Sequence, residues 1–304
     1  MVWASLFPVF ALIILGNLLK RYQLTNDTFL RTADRLVYFI FFPAMLFWKI
    51  GASGPRDLPL GPQLFMGTLA ILGILYLLSL LLIRFTSVTD FQAGTFSQSC
   101  YRFNTYIGMA IVLNALGDEG VQMFGLLVGG MIPVINVLAV STLIWFSAQR
   151  IDALRKLRLT LKALLANPLI LACLTGLGYA RLVGRFPPFI DNTLALISMV
   201  TLPLALLSIG AALTPRSVRG HFSNAFKAAG CKLALCPLLG FLILPALNVS
   251  SLEFKVAMIY LALPTSTSIY VLSAQLRSDT ELASAAIVLS TVLSMIPLSW
   301  VLSL

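Results

Sequence analysis

Apolar residues run through the chain in stretches of about 20, long enough to cross a bilayer as helices. Ten such stretches stand out, at roughly 2–19, 35–50, 62–83, 92–116, 121–146, 163–182, 189–213, 223–245, 253–273 and 280–303. The second is short and begins inside the amphipathic stretch before it. The pattern predicts an all-α polytopic membrane protein of ten transmembrane helices. The opening "MVWASLFPVFALIILGNLLKR" has no basic region ahead of its apolar run, and Lys20-Arg21 follow it. It reads as a retained first span with its N-terminus outside, not a cleaved signal peptide.

Charge placement sets the orientation. With the N-terminus outside, the cytoplasmic loops collect fourteen basic residues, namely Lys20, Arg21, Arg31, Arg35, Arg84, Arg150, Arg155, Lys156, Arg158, Lys162, Arg216, Arg219, Lys227 and Arg277. The outer loops hold five, Lys49, Arg56, Arg181, Arg185 and Lys255. Basic residues favour the cytoplasmic side, so both termini are expected outside a plasma or bacterial inner membrane. The net charge of +10 then serves topology and leaflet attraction, and no nucleic-acid partner is expected.

A repeat organises the spans. Pro8 lies eight residues before Gly16, and Pro168 eight before Gly176. The offset of 160 also pairs Pro43 with Pro203 and Thr105 with Thr265. Spans one to five fall on six to ten under this shift. Five is odd, so the second half enters the membrane from the opposite side, the inverted-repeat plan of many secondary transporters. The halves are 1–150 and 163–304, joined by the basic cytoplasmic linker 151–162 within "QRIDALRKLRLTLK".

The polar stretch "SQSCYRFNTYIGMAIVLNALG" lies inside span four. Arg102 is twelve residues after Asp90, about 18 Å along a helix, which puts it near the bilayer centre. A charge there costs about 2.5–3.5 kcal/mol on insertion scales and marks a functional site. Adding 160 to Asn104 gives Pro264, in "LALPTSTSIYVLSAQ". Proline removes a backbone donor and clashes with the preceding turn, so span nine is expected to break near Leu263. Two helices broken at mid-membrane would turn half-helix N-termini, with their partial positive charge, toward an anion. Arg102 then either contacts substrate or caps carbonyls of the broken span nine.

These residues carry a family resemblance. "YRFNTYIGMAIVLNALG" resembles a stretch of the auxin efflux carrier family, whose plant members are the PIN auxin exporters. "KLALCP", "LPLALLSIGAAL" and "ALPTSTSIYVLSAQ" look like its eighth, seventh and ninth spans, and "PVFALIILGNLLKR" like its first. One departure is Gly108-Met109-Ala110, where the family often has proline after the glycine. Span four is accordingly expected to break less sharply, with Asn104 and Gly108 carrying the distortion. The resemblance implies a fold like the bile-acid/sodium symporters and sodium-proton antiporters, with crossing broken helices 4 and 9. Helices 1, 2, 6 and 7 would form a scaffold, and helices 3–5 and 8–10 an elevator-like transport unit, in a homodimer joined through the scaffold. It also implies small organic anions as substrates, such as malonate or indole acids. The short loop between spans five and six points to a bacterial or short-loop member.

The candidate substrate-binding residues are Arg102, Asn104, Thr105, Asn136, Ser208, Pro264, Thr265, Ser266, Thr267 and Ser268, with Asn104, Gly108 and Pro264 as helix breaks. Each hydroxyl and Asn136 has a competing structural reading, as a bond to its own helix or between helices; Asn17 is a weaker scaffold-side candidate. Lys232, nine residues into span eight, is expected to snorkel toward the cytoplasmic surface beside Lys227. Gly125 and Gly129 read as close helix packing. The four cysteines, Cys100, Cys173, Cys231 and Cys236, have no C-x-x-C spacing and are expected to be buried free thiols, with no metal and no cofactor. Every acidic residue falls in a loop or at a span edge, which makes carboxylate-based sodium binding hard to build. The single His221, in a loop, and the lack of an intramembrane carboxylate argue against an enzyme. A channel or a membrane sensor remains an alternative, separable by saturable, counter-flow-stimulated flux.

Overall fold

The structure is a computed structural model that describes residues 2–52, 61–146, 167–213 and 218–304. The linker 151–162 lies outside the described residues, as do Arg56, Arg150, Arg216 and positions 163–166 of the sixth predicted span.

Helices cover most of each predicted span where it is described, with interruptions at 102–104 and 263–267, and no strand occurs among the described residues. They are α1 (Val2–Arg21), α2 (Asp27–Leu36), α3 (Phe42–Gly51), α4 (Pro62–Phe85), α5 (Asp90–Tyr101), α6 (Thr105–Trp145) and α7 (Pro168–Leu182). There follow α8 (Pro188–Ala212), α9 (Val218–Gly230), α10 (Cys236–Ile243), α11 (Ser251–Ala262), α12 (Ser268–Gln275), α13 (Thr280–Leu293) and α14 (Met295–Val301). Wide π turns at Val37–Phe41 and Cys231–Leu235 join α2 to α3 and α9 to α10.

By length and apolarity five of these helical runs are able to cross a membrane, or six when the bent pair α13 and α14 counts as one. One run, Asp90–Trp145, is 56 residues long. That is about 84 Å at 1.5 Å per residue, far beyond a hydrocarbon core of about 30 Å. Two interruptions divide it, a non-helical stretch at 102–104 and a turn at Gly117. Gly117 sits at φ 65, ψ −157, a region open essentially to glycine alone, and a Cβ there would meet nothing within 4 Å. Gly117→Ala is therefore a pure test of backbone strain. It is expected to cost about 1–3 kcal/mol, read as a lower melting temperature in detergent.

Local signals explain where the helices start. Asn26 accepts from the Phe29 amide at 2.8 Å to open α2. Asn167 accepts from the Leu169 amide at 2.9 Å ahead of Pro168, a residue suited to the first helical turn. Both α5 and α11 open with a capping box, Thr89 with Gln92 and Ser250 with Glu253. At an exposed helix end, Lys20 meets Asp27 at 2.8 Å. That hydrogen-bonded ammonium holds the Asp27 carboxyl below its usual range.

The contacts divide the chain into two compact units. The first comprises Met1–Leu60, Tyr106–Gly130 and Leu164–Ala212, the second Gly61–Thr105, Met131–Ala163 and Leu213–Leu304. In the first, α1 lies directly on α8: Gly16 faces the Leu207 backbone and Gly210 faces the Ile13 carbonyl. Asn17 Nδ2 donates to the Gly210 carbonyl at 3.3 Å. On the other side α7 meets α3, with Gly176 against Ile50 and the Phe47 carbonyl, and the Trp48 indole donates to Asp191 at 2.7 Å. Gly125 and Gly129 are close-packed, Gly129 against Cys173.

In the second unit, buried polar groups tie the helices together. Asp279 caps α13 through the Leu282 amide at 2.9 Å, accepts from Gln92 at 3.1 Å and meets His221 at 3.2 Å. Glu253 accepts from the Ser250 amide that opens α11 and from the Gly61 amide that precedes α4, both at 2.8 Å. Thr95 and Gln98 of α5 reach Ser273 of α12 at 2.7 and 3.0 Å. The buried hydroxyls of Thr95 and Ser273 thus partner each other, as a low-dielectric surrounding favours.

Candidate functional site

The second unit contains two helix breaks that meet. Each follows a half-helix of 12 residues with a capping box, α5 and α11, which begin at Asp90 and Ser251. Arg102 leaves α5 with extended backbone, φ −80 and ψ 145, and Leu263 leaves α11 with φ −65 and ψ 148. The Asn104 amide then donates to the Pro264 carbonyl at 2.9 Å. Each break therefore satisfies a backbone group of the other, the condition for irregular chain buried in a membrane protein.

Side chains secure the junction. Thr265 Oγ1 donates to the Ser99 carbonyl at 2.9 Å, and the Thr265 amide donates to Ser290 Oγ at 3.1 Å. Ser266 and Ser268 share a hydrogen bond at 2.8 Å, and the Ser268 amide donates to Ser266 Oγ at 3.3 Å, closing the turn that opens α12. Arg102 donates from its guanidinium to Asn136 Oδ1 at 3.1 Å. Asn104, Pro264 and Thr265 are buried, while Arg102, Thr105, Asn136, Ser266, Thr267 and Ser268 are half-buried.

Nine of the ten candidate residues thus belong to this unit. Ser208 does not; it is buried in the first unit. Gly108 is not a break. The helix resumes at Thr105 and Gly108 lies inside it, because the Pro264 carbonyl takes up the Asn104 amide and leaves nothing for a later residue to relieve. The chain leaves the helix at 102–104 even without the family's proline, and the helical run Asp90–Trp145 continues across that interruption.

Lys232 is also placed differently from expectation. It does not snorkel: the side chain is fully buried, with Nζ 3.5 Å from the Leu261 carbonyl and 3.3 Å from the centre of the Phe103 ring. Phe103 in turn stacks on Tyr260 with centroids 4.0 Å apart. The sequence placed Lys232 only by its depth in span eight, which does not say which neighbour it meets.

Chemically, the junction offers a guanidinium with several N–H donors, amide and hydroxyl side chains, and the N-terminal end of α12. It offers no nucleophile–base pair, and no group of three or more His, Cys, Asp or Glu suited to a metal occurs among the described residues. These groups give the junction positive character.

The whole chain has relatives of one kind. An uncharacterized transporter from Methanothermobacter thermautotrophicus is 24% identical over 299 residues, 97% of this chain and 95% of the relative. An uncharacterized transporter from Methanocaldococcus jannaschii is 21% identical over 303 residues, 97% and 96% of the two chains. The family described as "Membrane transport protein" matches residues 1–302. With apolar helices throughout and a family match over nearly its full length, this multi-pass membrane protein belongs to the membrane transport protein family, the auxin efflux carriers of the sequence resemblance.

Proposed function

We propose that the protein is a secondary transporter of small organic anions, which bind where the two broken helices meet and move by an elevator-type step. One observation carries this reading: the half-buried guanidinium of Arg102 stands at a junction where the Asn104 amide and the Pro264 carbonyl join the breaks. A cation placed there at the cost of desolvation suits a carboxylate far better than a neutral ligand.

In this reading the chain crosses the membrane ten times in two inverted five-helix repeats, with both termini outside. Contacts within the first unit support it. The packing of Gly16 on Leu207 recurs, shifted by 160 residues, as Gly176 on Phe47. The junction of Asn104 with Pro264 joins two positions related by the same shift. The division into two compact units supports a scaffold that includes spans one, two, six and seven, and a transport unit built mainly from three, eight, nine and ten. Residues 106–130 group with the first unit. A homodimer through the scaffold completes the proposal.

The test is the melting temperature of purified protein against malonate, succinate, larger dicarboxylates and indole-3-acetate, beside a panel of neutral analogues. A ligand that binds the folded state alone raises apparent stability by mass action, about 2.7 kcal/mol at a hundredfold excess over Kd. A concentration-dependent shift for one carboxylate, absent with its amide, is the expected result. Stabilisation by neutral analogues alone would overturn the anion assignment. Counter-flow of the stabilising anion in vesicles then separates a carrier from a channel.

A further inference from the structure

Lys232 is a buried charge that the anion site does not use. It lies within the π turn Cys231–Leu235, and its two partners come one from each break. Phe103 is the middle residue of the 102–104 interruption, and Leu261 is the penultimate residue of α11. The last carbonyls of a helix have no partner further along it, and α11 stops at Ala262 because Leu263 turns extended. That end carries partial negative charge, and the face of an aromatic ring is negative as well. Both features attract a cation, and neither is a carboxylate.

We infer that Lys232 is the resident cation of the junction: a tethered ammonium that neutralises the C-terminal end of α11 and holds the first break against it. Its ammonium satisfies the carbonyl and the ring face to which a free monovalent cation would otherwise be drawn. The inference rests on the proposed reading of the junction and deepens it, because substrate movement then draws on no bound alkali cation. Lys232 acts as a positioning residue through Phe103 and Leu261.

The test reads melting temperature, so it stands whether or not any carboxylate binds. Wild type, compared in sodium, potassium and N-methylglucamine salts at equal ionic strength, is expected to show no sodium-specific shift. Lys232→Ala is expected to melt lower. Methylammonium, sized for the vacated space, should restore at least about half of the loss by mass action, whereas methanol should not. Lys232→Met keeps the length without the charge; it should also melt below wild type and gain nothing from methylammonium. Sodium-specific stabilisation of wild type overturns the inference. So does Lys232→Met melting like wild type, or Lys232→Ala responding no better to methylammonium than to methanol. If Lys232→Ala does not fold, the sodium comparison and Lys232→Met decide. If the carboxylate panel fails while these results hold, the resident cation stands and the substrate class falls.

Discussion

Gly210→Ala is expected to yield almost no folded protein. The added methyl would be built into the Ile13 carbonyl, and Gly16→Ala into the Leu207 carbonyl. These obstacles are backbone, so no side chain can swing aside. The two helices must separate, which breaks the Asn17 bond to the Gly210 carbonyl and opens the apolar contact around Ile13, Leu206 and Ile209, all buried. Ordinary overpacking costs about 1–3 kcal/mol; a backbone collision at a helix crossing belongs to the exceptional class above about 4 kcal/mol. That is most of a typical stability of about 5–15 kcal/mol. Size-exclusion chromatography of the detergent extract reads the outcome. Gly178→Ala is the matched control, since a Cβ there meets nothing within 4 Å. It should elute normally and melt at or slightly above wild type, because alanine favours a helix interior by up to about 1 kcal/mol. A Gly210→Ala protein as well behaved as Gly178→Ala would contradict the packing of α1 on α8.

Arg102→Ala is expected to abolish the stabilisation that carboxylates give. Truncating one partner of a buried, hydrogen-bonded charge pair costs about 2–5 kcal/mol, which is roughly 30-fold or more in affinity. Arg102→Lys keeps the charge but not the planar fork and should fall between the two. Asn136→Ala removes only the group that orients the guanidinium and should weaken binding by less. The competing role of Arg102, a structural cap, predicts a different pattern. The ligand-free protein would then melt lower in Arg102→Ala, while the carboxylate shift, measured from that lower baseline, would keep its size. Titrations of both variants separate the two roles without any flux measurement.

Much of the junction was legible because polar residues in an apolar span are expensive. Pro264 announces its break by losing an N–H, and Arg102 by its cost at mid-membrane. The shift of 160 leads from Asn104 to Pro264, and the chain joins these two residues by a hydrogen bond. Other features left weaker traces. Gly108 drew attention as glycine in a family motif, yet a glycine inside a continuing helix leaves no mark of which neighbour satisfies the chain. The close approach of Gly16 and Gly210 was hidden for a related reason, since a missing side chain does not name its partner. Ser208 falls in the other unit from the remaining candidates, and a hydroxyl is the same letter in either place.

Lys232 lies inside one of two π turns, whose effect reaches beyond it. An α-helix advances about 100° per residue, whereas a π turn fits one extra residue into a single revolution. Across Cys231–Leu235 the angular phase of the helix therefore slips by about one residue, and the same happens across Val37–Phe41. Any helical wheel drawn straight through either turn assigns everything beyond it to the wrong face. It also follows that a one-residue deletion there, silent in composition and hydropathy, would restore a regular helix and swing Lys232 away from Phe103. In this family, then, the spacing between flanking residues is itself a character to compare, as informative as the identity of the lysine.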